Sequence, residues 1–124
     1  MDFYRCSHCG NIIHFIKNTG VPVVCCNEKM EKLVPGSVDA SVEKHVPVAK
    51  IDGQKVTVEI GSALHPMLVE HYIEWIILET ENGYQKVNLN PDNQPKAEFI
   101  VANDKPISVY EYCNLHGLWK LDLI

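Results

Sequence analysis

The sequence predicts an all-β protein in two parts, a small metal-stapled segment over residues 1–33 followed by an antiparallel β-sandwich over residues 34–124. Three observations lead there. Four of the five cysteines, Cys6, Cys9, Cys25 and Cys26, fall within the first 26 residues, where large apolar side chains are few. Beyond them, apolar residues recur at every second position, which is strand periodicity. Turn-forming residues punctuate the chain at short intervals, and no stretch has convincing helical spacing.

A segment of about 33 residues is below the size at which a hydrophobic core suffices, so the first part needs a metal or disulfides to fold. The second part carries Trp75, Trp119 and most of the Val, Ile and Leu, enough for a core of its own. Its strands are expected at 45–51, at Gln54 to Ile60, where Val56, Val58 and Ile60 alternate with polar residues, and around Ile73, Trp75 and Ile77. Further strands are expected at 84–89, 96–102, 106–113 and 117–122. Seven strands are typical of a sandwich. Asp52-Gly53 and Asn82-Gly83 are hairpin-turn pairs, and Gly20, Pro35-Gly36, Pro91-Asp92-Asn93 and Asn103-Asp104 mark other connections.

A formal net charge of −5 gives nucleic acid and anionic membranes no broad electrostatic reason to bind, and neither partner is expected. The opening residues Met1-Asp2-Phe3-Tyr4-Arg5-Cys6 lack the basic and apolar regions of an export signal, so the chain reads as cytoplasmic. In that reducing compartment, five cysteines, an odd number, point to metal binding rather than to disulfides.

Cys6-x-x-Cys9 turns two thiolates toward one ion, and Cys25-Cys26 follows after fifteen intervening residues. Adjacent residues of an extended strand face opposite ways, so Cys25 and Cys26 share an ion only if the backbone bends, giving a distorted tetrahedron. Zinc and iron both accept four thiolates. With that set complete, His8 and His14 are expected to be solvated bystanders. The remaining cysteine, Cys113, has His45, His65, His71 and His116 for company in the second part. Taken singly, each is an ordinary surface or core residue. Together, on loops or strand ends of a sandwich, they form a constellation that a rigid scaffold can converge, and a fifth donor favours a redox metal over structural zinc.

The stretches Glu43-Lys44-His45-Val46-Pro47, His65-Pro66-Met67, His71-Tyr72-Ile73-Glu74-Trp75-Ile76 and Cys113-Asn114-Leu115-His116-Gly117, with the four clustered cysteines, resemble the desulfoferrodoxins, the two-iron class of superoxide reductases, over essentially the whole chain. Leu118 departs from a common histidine at a position that is not a ligand. The resemblance implies a desulforedoxin-like four-cysteine iron domain at 1–33 and an immunoglobulin-like catalytic sandwich at 34–124. It implies two iron ions per chain, one on Cys6, Cys9, Cys25 and Cys26, the other on His45, His65, His71 and His116 with Cys113 axial. Calcium is kept as a candidate additional ion.

By the same resemblance the protein is a homodimer that reduces superoxide to hydrogen peroxide with one electron from a donor such as rubredoxin. Lys44 would guide the anion to an open sixth position, and Glu43 would close that position on ferric iron. The rival readings are a small electron carrier, a structural zinc module and a superoxide dismutase.

Overall fold

The computed structural model describes residues 1–124, which divide into two compact units, Met1–Val34 and Pro35–Ile124. In the first, strands β1 (Phe3–Arg5), β2 (Ile12–His14) and β5 (Glu31–Lys32) form an antiparallel sheet in the order β2-β1-β5, and β3 (Val24–Cys25) pairs with β4 (Glu28–Lys29) as a separate hairpin. Phe3, Cys6 and Met30 are the buried apolar residues of this unit. So small a core cannot hold the fold without a cross-link.

The second unit opens with a one-turn helix, α1 (Val42–His45), too short to leave a periodic trace in sequence. It occupies the start of the stretch expected as the first strand, which begins later as β6 (Pro47–Asp52). Six strands follow: β7 (Lys55–Ile60), β8 (Ile73–Thr80), β9 (Tyr84–Asn88), β10 (Lys96–Ile100), β11 (Pro106–Cys113) and β12 (Gly117–Asp122). They make a three-stranded sheet, β10-β7-β6, and a four-stranded sheet, β12-β11-β8-β9, all antiparallel. The architecture is an immunoglobulin-like sandwich. No helix is long and apolar enough to cross a membrane.

Alternation builds the core. Val56, Val58 and Ile60 of β7 and Ala97 and Phe99 of β10 pack with Ile76 and Leu78 of β8 and Val109 and Cys113 of β11. In β8 the core face is therefore that of Ile76 and Leu78, not that of Trp75 and Ile77, yet Ile73 also joins the core. An irregularity in the β11–β8 register reconciles the two parities: Tyr112 faces Trp75 while Cys113 faces Ile73, so Glu74 is an extra residue. The bulge lies where β11 delivers Cys113.

Both expected hairpins exist with connecting residues one place away from the expected pairs. Asp52 pairs with Lys55, leaving Gly53 and Gln54 as the loop, with Gly53 at φ +59°. Thr80 N–H donates to the Gly83 carbonyl at 2.8 Å, so Glu81 and Asn82 form the other turn.

Candidate metal centres

The first donor set is local. Cys6 N–H donates to the Asn11 carbonyl at 2.9 Å and Gly10 N–H to the Cys6 carbonyl at 3.0 Å, curling the chain so that the sulfurs of Cys6 and Cys9 face inward. The bend needed at Cys25-Cys26 is a pair of left-handed residues, Cys26 at φ +52° and Asn27 at φ +63°, forming the two-residue turn between β3 and β4. The Cys9 and Cys25 sulfurs are 3.6 Å apart, and those of Cys25 and Cys26 4.0 Å. Four thiolates about 2.3 Å from one ion stand about 3.8 Å from each other, so these spacings fit a tetrahedral metal.

Charge gives the same result. The Cys9 backbone N–H, foremost, draws the Cys6 thiol down to about 6. The nearness of first Cys6 and then Cys9 pushes Cys26 up to about 12, and Cys25 is raised chiefly by Cys9. Cys6 ionises easily, while Cys25 and Cys26 keep their protons beside it. A cation in their midst stabilises every thiolate around it and releases those protons. The Asn11 side-chain amide lies 3.8 Å from the Cys25 sulfur, a contact that nothing in the cysteine spacing announces. His8 is exposed, and His14 lies in β2 with its ring 6.1 Å from that of Phe3.

The second set is assembled from distant segments: His45 ends α1, His65 and His71 lie between β7 and β8, Cys113 ends β11, and His116 lies in the turn before β12. The four imidazoles form a square. Neighbouring centroids are 4.7 Å (His45–His65), 4.6 Å (His65–His71), 5.0 Å (His71–His116) and 4.8 Å (His116–His45), with interplanar angles of 78–87°. Across the square, His45 and His71 are 6.4 Å apart and nearly parallel at 27°. One donor atom from each of His45, His65, His71 and Cys113 falls within 4.8 Å of all the others, and His116 Nδ1 is 3.9 Å from the Cys113 sulfur.

Hydrogen bonds decide which nitrogens face the centre. His45 Nδ1 donates to the Ser41 carbonyl and His65 Nδ1 to the Pro66 carbonyl, each at 2.6 Å, so both present Nε2 lone pairs inward. Those two Nε2 atoms are 3.2 Å apart, and His45 Nε2 is 3.0 Å from His116 Nδ1. His71 Nε2 is buried with no partner. Two neutral acceptors facing each other at this distance repel, and a buried nitrogen with nothing to bind is costly. A cation at the centre satisfies them together: nitrogens about 2.1 Å from a metal and at right angles stand about 3.0 Å apart. The residues fit the group.

Burial, foremost, lowers the pKa of His45 and His71 and takes that of His65 to about 4, so the rings are neutral and can offer lone pairs. Burial pushes the Cys113 thiol up, so a metal entering here releases its proton. Trp119 stacks on His45 at 5.0 Å and 27° and donates its indole N–H to the His116 carbonyl at 3.0 Å.

Ser41, Pro66 and Trp119 are supporting residues that sequence reasoning missed, since a carbonyl acceptor carries no side-chain signature. Glu43 and Lys44 are exposed on α1. The Lys44 charge is among the influences that lower His45 and His71. The Glu43 carboxylate is held below its usual range chiefly by its own backbone N–H, and the Glu43 carbonyl accepts from Ala63 N–H at 3.0 Å.

Comparison with known proteins accounts for both sets. Residues 1–33 match the family described as the desulfoferrodoxin N-terminal domain, and residues 37–122 match the family described as desulfoferrodoxin. A desulfoferrodoxin homolog of Archaeoglobus fulgidus is 42% identical over 97% of this chain and 95% of its own. A desulfoferrodoxin of Nitratidesulfovibrio vulgaris is 42% identical over 98% of this chain and 95% of its own. Among solved structures, the superoxide reductase from Treponema pallidum superposes with a TM-score of 0.82 at 36% identity, covering 98% of each chain.

Proposed function

The chain belongs to the desulfoferrodoxin family, and on that premise we propose that it is a superoxide reductase with one iron on Cys6, Cys9, Cys25 and Cys26 and a second, catalytic iron on His45, His65, His71, His116 and Cys113. The reaction is the one-electron reduction of superoxide: superoxide, one electron and two protons give hydrogen peroxide. The observation that carries this reading is the square of four imidazoles with the Cys113 sulfur beside it, a set of five donors that closed structural zinc sites do not use. When bound there, iron supplies the electron and an open coordination position.

The chain's own residues do the rest. The neutral rings add no charge to the site, so the cation they hold keeps an attraction for a small anion. Cys113, once deprotonated, would offset part of that charge and supply electron density to a bound iron. The bonds from Ser41 and Pro66 hold the His45 and His65 rings in one tautomer, so they need no reorganisation when charge changes at the centre. Lys44 is the group that draws superoxide in: the chain as a whole is negative, and capture needs a local positive potential at the mouth of the site. Glu43, one residue before Lys44 on α1, is the carboxylate that would ligate the oxidised iron in place of product.

The electron comes from an external carrier of the rubredoxin kind. The protein acts as a cytoplasmic homodimer in oxidative-stress detoxification.

The test is a product balance. Anaerobically reduced protein receives pulse-generated superoxide, and peroxide and oxygen are measured. One peroxide per superoxide, with no oxygen, is the expected result, and Cys113→Ser should lose it together with the visible thiolate-to-metal band. Half a peroxide and half an oxygen per superoxide identifies a dismutase instead. A colourless protein that contains zinc and consumes no superoxide identifies a structural module.

A further inference from the structure

The His71 ring is held differently from its neighbours. His45 and His65 each anchor a ring nitrogen to a backbone carbonyl, and His116 has its own carbonyl tied by Trp119, but the His71 ring makes no hydrogen bond to the protein. Any hydrogen bond that fixes this imidazole must therefore act through its backbone.

One edge of that backbone is a tight bridge: His71 N–H donates to the Leu68 carbonyl at 3.0 Å and Leu68 N–H to the His71 carbonyl at 2.9 Å. The opposite edge belongs to Asn114. Tyr72 N–H donates to Asn114 Oδ1 at 2.9 Å, Asn114 Nδ2 donates to the Glu70 carbonyl at 3.0 Å, and Asn114 N–H donates to the Tyr72 carbonyl at 3.2 Å. The amide orientation is fixed, since the Tyr72 nitrogen can only donate and the Glu70 oxygen only accept. The side chain thus acts as one more peptide of the β11–β8 ladder, beyond the bulge where main-chain pairing ends. It grips the residues on both sides of His71, and it follows Cys113 directly in sequence.

We propose that Asn114 is the positioning residue for His71, its amide setting where that imidazole stands relative to Cys113 and His116. This rests on the metal-site reading above. Because the ring has no polar anchor of its own, an error in the loop is transmitted to its Nε2 undamped. His45 and His65, each held by a carbonyl, are insulated from Asn114.

The experiment titrates cobalt(II) into the full-length, metal-stripped protein and follows the ligand-field spectrum of the His/Cys site, with the all-cysteine site as the control in the same chain. Asn114→Leu keeps the volume and removes both side-chain bonds. Asn114→Asp keeps the acceptor for Tyr72 N–H and loses the donor to Glu70. Loss of such a supporting bond typically costs about 10–100-fold in metal affinity. Asn114→Leu is expected to show that loss at the His/Cys site alone, with a spectrum shifted toward that of His71→Ala, and Asn114→Asp a smaller loss.

The Asn114→Leu loss should not add to that of His71→Ala but should add to that of His65→Ala. Parental affinity and spectrum, or full additivity with His71→Ala, overturns the assignment. If Asn114→Leu does not fold, Asn114→Asp decides by the same criteria. A parent that binds cobalt only at the cysteines overturns the metal-site reading itself.

Discussion

Gly61→Ala should injure the sandwich far more than Gly53→Ala, although both glycines have positive φ, +82° and +59°. At Gly53 an added methyl meets nothing within 4 Å, so only the left-handed backbone counts, at about 1 kcal/mol. At Gly61 an ideally placed Cβ falls 2.5 Å from the Ala63 carbonyl and 2.7 Å from those of Glu43 and Lys44. Ordinary carbon–oxygen contacts begin at about 3.3 Å, so three backbone oxygens must give by about 0.6–0.8 Å.

Overpacking of this kind adds roughly 1–3 kcal/mol, for a total near 3 kcal/mol. The atoms that must move belong to the turn that delivers His45 and to the loop that leads to His65. Gly61 N–H donates to the Val46 carbonyl at 3.1 Å, and His65 N–H to the Ile60 carbonyl at 3.3 Å. Both tryptophans lie in the second unit, so urea unfolding followed by their fluorescence reports on the sandwich. With a slope of about 1–3 kcal/mol per molar urea, the Gly61→Ala midpoint should fall by about 1 M or more, and the Gly53→Ala midpoint by well under that. Equal falls in the two variants would refute the steric argument and leave φ as the whole cost.

Lys44→Ala should slow the bimolecular reaction of superoxide with reduced protein by about tenfold and flatten its dependence on ionic strength; equal rates and equal salt slopes would make Lys44 an ordinary surface lysine. Glu43→Ala should leave that first step nearly unchanged while altering the oxidised visible spectrum, and coincident spectra would remove Glu43 as the sixth ligand. Cys6→Ser should abolish the all-sulfur absorption yet spare superoxide reduction by prereduced protein, the readout being both bands and the single-turnover yield.

Glu111 is fully buried, neither carboxylate oxygen has a partner, and burial holds its pKa well above the ordinary carboxylate value. The folded state therefore keeps a proton that the unfolded chain gives up above about pH 4.3, and stability drains at about 1.4 kcal/mol per pH unit until the folded carboxyl itself ionises. Glu111→Gln should melt higher than the parent at neutral pH and lose less stability as pH rises through that window; parallel melting profiles would count against it.

The strands were legible because β7 and β10 alternate cleanly between core and solvent, as Val56, Val58 and Ile60 do. The face of β8 was not, since Trp75, Ile77, Ile76 and Leu78 leave both parities apolar and a bulge at Glu74 changes register between them. Nor was α1, because one turn has no period. The four clustered cysteines could be grouped from residue type and spacing, whereas the histidines and Cys113 were a constellation of residue types that the family resemblance joined into one site. The devices that aim them could not: the Ser41 and Pro66 carbonyls belong to the backbone, and the Asn114 amide acts on residues more than forty positions away.

The two donor sets differ in how far along the chain they reach, and that sets when each can come into being. Cys6 to Cys26 is a run of neighbours, whereas His116 meets His45 across 71 positions. Closing the short loop costs little chain entropy and is fast. A metal can therefore seize the four sulfurs while they are still organising, and its binding energy becomes folding energy. The imidazole square has no such early existence. It waits for α1, the loop between β7 and β8, and the β11–β12 hairpin to be brought into one sandwich, long-range pairings that form slowly. Its ion thus enters a finished cavity whose shape the polypeptide has already chosen. In the first unit the metal makes the protein; in the second the protein makes the place for the metal.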